Sequence, residues 1–198
     1  MSSNIPTWLI EASRKGLTET LPSWYRDIYA PAPDKPTPLT QQARTTGPTE
    51  INFAKSPRGI RNHNPGNIEI GDPWQGIAKG DEVQSYQKGE ERFVTFKSPE
   101  WGIRAIGVLM QTYRWKHGLT SIRGIVTRWA PPEENDTESY IKSVAKMTGF
   151  DPEISLDTKS PEVLKKLLGA IIKHENGEQP YSEETITAGI NLALNIEE

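Results

Sequence analysis

A glutamate stands where its neighbours predict an apolar residue. In SPEVLKKLLGAIIKHENG, Leu164, Leu167, Leu168, Ile171 and Ile172 recur at the three- and four-residue spacing of one buried helical stripe, and Glu175 takes the next place on it. Ser160 and Pro161 read as N-cap and first-turn proline, and Asn176-Gly177 supplies residues that tolerate the left-handed conformation closing a helix. Glu175 is therefore expected to point inward from a last helical turn. Apolar surroundings and the negative end of the helix dipole both disfavour an ionised carboxyl there, so the sequence predicts a raised pKa. A carboxyl protonated near neutral pH is what general-acid cleavage of a glycosidic bond requires. The competing reading is a charge that frays into solvent at a helix end.

Two further stretches offer groups that could hold a sugar. Between Arg58 and Ile68 the chain reads RGIRNHNPGNI, whose glycines allow close backbone approach and whose Asn side chains offer amide donors and acceptors to hydroxyl and acetamido groups. The same residues would also serve a tight multi-turn loop closed by Asn side chains. No Gly-Lys-Ser/Thr follows, so a phosphate loop does not fit. The second stretch, RWAPPEENDTESY, places Trp129 and Tyr140 on either side of a rigid Pro131-Pro132 crossing, two flat faces on which pyranose rings could stack. Trp129 as plain core is the alternative, since Ile122, Ile125 and Val126 lead into it, and Asn135 or Asp136 could simply cap the next helix.

The elements that must position these groups are mostly helical. Ser98-Pro99-Glu100 starts a helix running to about His117, a second spans Thr120 to Trp129, a third starts at Asp136 or Thr137 and stops at Gly149, and the Glu175 helix is followed by a last one from Ser182. Before them NIEI, PWQGIA and RFVTFK read as short strands of a small antiparallel sheet. The fold class is α+β, mostly α. Residues 30–56 are rich in Pro, Thr and Gln and read as a linker. Residues 1–29, with Trp8, Trp24 and Tyr25 in short apolar patches, read as a docking arm for other proteins or a membrane surface. The compact domain is expected at 57–198.

Composition removes several classes. The 198 residues contain no Cys, which excludes disulfides and thiolate chemistry, and three scattered His make no metal-ligand cluster. No metal and no cofactor are expected. The net charge of −3 divides into about +1, +2 and −6 over 1–56, 57–150 and 151–198, too little positive charge to attract nucleic acid. The start lacks a secretory pattern, so synthesis in the cytoplasm is expected.

Taken together, RGIRNHNPGNI, the WQG segment, Phe93 to Ala105, RWAPPEENDTESYI and IIKHENGEQPY resemble a family of phage virion proteins associated with cell-wall degradation, over roughly 58–181. IIKHENGEQPY is also similar to the catalytic-helix segment of lysozyme-like lytic transglycosylases, where Glu-Ser-Gly ends a helix and Pro follows. Thr137-x-x-Tyr140-Ile141 resembles their groove-lining region, and RNHNPGNI with WQG resembles the strand entry of flagellar-type glucosaminidases. In those families the glutamate helix comes first, whereas here it comes last, which a circularly permuted lysozyme-like domain would reconcile. The resemblance implies a peptidoglycan glycan strand as substrate, cleaved in the host envelope by a transglycosylase or muramidase carried in the virion. Glu175 would be the acid and Glu69 or Asp72 a second carboxylate. Arg61, Asn62, Asn64, Asn67, Asn135 and Tyr140 would orient sugars, with Trp74 and Trp129 stacking on them. The rival class is a non-catalytic virion component that docks on capsid or membrane, or binds wall glycan without cutting it.

Overall fold

The computed structural model describes residues 51–196. The docking arm expected at 1–29 lies outside these residues, as does the linker apart from its last six. Six α-helices follow in order: α1 Arg58–Arg61, α2 Pro99–His117, α3 Ile122–Trp129, α4 Thr137–Thr148, α5 Pro161–Asn176 and α6 Glu183–Leu194. The protein is mainly α-helical. Their ends obey local chemistry: the side chains of Ser121, Asp136, Ser160 and Ser182 accept the backbone N–H that each opening turn leaves unpaired. Gly118, Gly149 and Gly177 close α2, α4 and α5 in the left-handed conformation. Four of the five sequence-predicted helices start within one residue of expectation, and α3 begins two residues late at Ile122.

The apolar stripes of α2 to α6 meet in one core, where Ile103, Ile106, Met110, Ile125, Ile141, Leu164, Leu167, Leu168 and Ile171 are essentially inaccessible to water. At about 1.5–3 kcal/mol for each such side chain, this cluster is the main favourable term holding α5 in place. Helices α2 and α6 form the most extensive helix pair, and α4 packs along α5. An ion pair between Lys165 and Glu183 also joins α5 to α6. No helix among the described residues is long and apolar enough to cross a membrane.

The expected three strands pair only through isolated bridges. Glu69 faces Phe93 and Ile77 faces Phe96 in antiparallel sense, and Ile70 faces Asp72 in parallel sense. A regular ladder cannot run through 69–78, because Pro73 has no N–H to donate and Gly76 takes φ 75°. The segments are held instead by a second small core of Val94, Phe96 and Ala105, roofed by Ile68, Trp74, Ile77 and Trp101.

Candidate functional site

The C-terminal turn of α5 brings Glu175 against three other parts of the chain. Its Oε1 accepts the indole Nε1–H of Trp129 at 2.9 Å and the hydroxyl of Tyr140 at 2.8 Å, and its Oε2 accepts the amide Nδ2–H of Asn67 at 3.3 Å. Each donor comes from a different element: Trp129 is the last residue of α3, Tyr140 lies in the first turn of α4, and Asn67 closes the loop after α1. The side chain is half-buried, as a stripe position in a last turn dictates. Both favourable directions at Oε1 are taken, so any proton on this carboxyl sits on Oε2 beside the longer Asn67 contact. Burial, with the charge of Glu175 adding to it, pushes the Tyr140 phenol well above its ordinary value, which keeps that hydroxyl a donor.

The loop over 58–68 is built to deliver Asn67. A single turn, α1, opens it, where sequence patterning indicated only loop. Asn64 is inaccessible and braces the loop from inside: its Nδ2 donates to the carbonyls of Ile68 and Val94, and its Oδ1 accepts the Ile68 N–H. Asn62 is likewise buried and donates to Glu90 at 2.8 Å, while Glu90 also accepts the backbone N–H groups of Arg92 and Phe93. Asn62 and Asn64, expected to orient sugars, spend these N–H groups on the protein itself. Asn67 takes φ 48°, a left-handed turn that Asn tolerates, and this conformation swings its amide toward α5. Arg61 ends α1 half-buried beside this loop.

Asn176, next to the acid, fastens the loop to α5. Its Nδ2 donates to the carbonyl of Pro65 at 2.8 Å and of Ile172 at 3.0 Å, and a Cβ added at Gly59 would overlap its Oδ1. Sequence patterning read Asn176 as a helix stop alone, because a helix end and a tertiary tie demand the same residue type.

The remaining expected site residues fall elsewhere. Glu69 is exposed and held by Arg92 through Nε and Nη2 at 2.8 and 2.6 Å, and Asp72 lines a cavity of about 400 Å³ with Ile70, Val83, Phe93 and Thr95. Trp74 packs in the second small core, and Asn135 is exposed with its Nδ2 on the Pro131 carbonyl, leaving Asp136 as the cap of α4. Tyr140 is only 4% exposed, so its ring acts on Glu175 rather than on a ligand. Missing from the expected set is His174, whose imidazole lies flat on Tyr140 with ring centroids 3.6 Å apart and planes 16° from parallel.

His63 fixes the other side of the loop. Its Nδ1–H donates to the Phe96 carbonyl at 3.2 Å, its Nε2 accepts from the Tyr86 hydroxyl at 3.4 Å, and the Phe53 ring stands edge-on 4.7 Å away. Burial lowers its pKa, outweighing the backbone carbonyls and Glu100, which raise it. An unfolded histidine, titrating near 6.5, then binds a proton that the folded one refuses. Stability is full above that pH and is lost as pH falls below about 6.5 toward the folded value. Thermal melts between pH 7 and 5 should show this decline. His117 and His174 are lowered too and add the same sign, so His63→Gln should shrink the slope without removing it.

No protein-family model matches the chain. Protein P5 of Pseudoalteromonas phage PM2 is 41% identical to it over 146 residues, covering 72% of this chain and 84% of that protein. An identity of that size over that share of both chains shows common descent, and the chain belongs to the phage protein family that includes Protein P5 of PM2.

Proposed function

We propose that the protein is carried in a phage particle and cleaves the glycan strand of peptidoglycan, with Glu175 as the general acid. The observation that carries this reading is the convergence of Trp129, Tyr140 and Asn67 on one half-buried carboxyl at a helix end. The order of elements differs from lysozyme-like enzymes; the meeting of a glutamate helix end, an Asn-bearing loop and an aromatic crossing supports the reading of a rearranged relative. This is what a circularly permuted lysozyme-like domain would produce. Glu175 gives the Oε2 proton to the glycosidic oxygen, and the carboxylate left behind takes a proton from the attacking hydroxyl. Attack by the sugar's own 6-hydroxyl needs only this one carboxyl and gives the lytic transglycosylase outcome, whereas a hydrolase would need Glu69 or Asp72 about 5–9.5 Å away to hold water or act as nucleophile.

A second reading is a non-catalytic virion component that docks on capsid, membrane or wall glycan. Its support is that both Glu175 oxygens already have partners inside the fold, as a structural carboxylate would. Mass spectrometry of purified peptidoglycan after treatment separates the outcomes. Anhydro-sugar ends are the expected product, new reducing ends would mean a hydrolase, and an unchanged muropeptide profile would leave only the docking role.

A further inference from the structure

We infer that His174 forms a sugar-binding platform beside Glu175, its imidazole stacking on the C–H face of an N-acetylated hexose. The inference rests on the glycan-directed reading of the site. It starts from which flat surface the site offers. The Tyr140 ring is buried and its hydroxyl is committed to Glu175 Oε1. His174 covers that ring in parallel contact and is itself exposed. A ring pressed on its neighbour by one face owes its exposure to the other face and the edge. The aromatic surface turned outward next to Glu175 is thus the imidazole, with the phenol as its backing.

The edge is equally available. Among the described residues, neither ring nitrogen of His174 makes a hydrogen bond, whereas both nitrogens of His63 do. A neutral imidazole presents one N–H donor and one acceptor nitrogen, a match for the hydroxyl and acetamido groups that rim a pyranose. Burial lowers the His174 pKa and the charge of Glu175 opposes that only in part, so the ring stays neutral at neutral pH. Attachment to the residue next to the acid fixes the platform relative to the reacting proton. A hexose stacked there keeps its glycosidic oxygen within the neighbourhood of Oε2 without further ordering of the protein.

The test uses full-length Glu175→Gln protein, which should bind without turnover, titrated with tri-N-acetylglucosamine and followed by calorimetry and by NMR of the histidine rings. The His174 ring signals should move on saturation while those of His117 stay fixed. His174→Ala in the same background should weaken binding roughly tenfold, the loss of one aromatic contact, and His174→Phe should keep it within about twofold. Unchanged affinity in His174→Ala, unmoved His174 signals, or no binding by the parent would each overturn the platform. Muropeptide release by wild-type protein is scored separately. Cleavage without a His174 response removes the platform alone, and a His174 response without cleavage removes the enzymatic reading and leaves a glycan binder.

Discussion

Replacing Glu175 by Gln is expected to lower glycan cleavage by a factor of a hundred to about ten thousand while leaving the fold intact. The amide keeps the length and shape of the carboxyl, and its carbonyl can still accept the Trp129 indole and the Tyr140 hydroxyl at the Oε1 position. The new NH2 then replaces Oε2 and meets the Asn67 Nδ2, two donors face to face, which Asn67 resolves by turning its own amide over. What disappears is the ability to give up and regain a proton. Melting should shift by no more than a degree or two, and circular dichroism should be unchanged. Equal rates of muropeptide release from wild type and variant would remove Glu175 from the chemistry.

The largest stability effect is expected from one methyl group in α2. A Cβ at Gly102 would overlap the backbone carbonyl of His63 and press on the Pro65 ring, in the segment that leads to Asn67. Backbone cannot rotate aside as a side chain can, so α2 and the loop must separate, at a cost of roughly 3 kcal/mol. For a domain of this size that is a drop of about 6–12 °C in melting temperature. Gly169, in α5, is the matched control: nothing lies within 4 Å of the added carbon, and a helical Gly→Ala change there should stabilise by about 0.5–1 kcal/mol. If Gly102→Ala melts like wild type, the loop is not seated on α2 as described. Because the displaced loop carries Asn67, cleavage should fall with stability in Gly102→Ala and be untouched in Gly169→Ala.

The helices were legible because their signals are local. Ser160-Pro161 at one end and Asn176-Gly177 at the other bracket α5, and the stripe between them names its buried face, so the inward aim of Glu175 followed from periodicity. The same logic read α4 from Asp136 to Gly149. The segments 69–78 and 93–96 were harder, because alternation predicts which residues face a core but not whether a ladder survives Pro73 and Gly76. The loop over 58–68 was recognised by composition, yet composition cannot say which Asn turns outward. Asn64 satisfies backbone groups and Asn62 holds the Glu90 carboxylate, and of these side chains only that of Asn67, after the Pro65-Gly66 turn, reaches another helix. Trp129 packs its ring against the core, as the plainer of its two readings had it, while the donation of its indole N–H to the carboxyl belonged to neither. His174 escaped notice because it stands off the apolar stripe, and nothing in a one-dimensional pattern reports a stack against Tyr140, thirty-four positions earlier.

The sequence distances spanned by the Glu175 contacts have a temporal meaning. Its partners stand 35, 46 and 108 residues upstream, and its neighbour Asn176 reaches back 111. Contacts that close such long stretches form late, after the intervening helices have condensed. A nascent chain still held by the ribosome before α5 emerges has none of them, nor does a fragment clipped ahead of Pro161. Whatever work the carboxyl performs therefore waits until α5 has been made and packed against the segments that precede it.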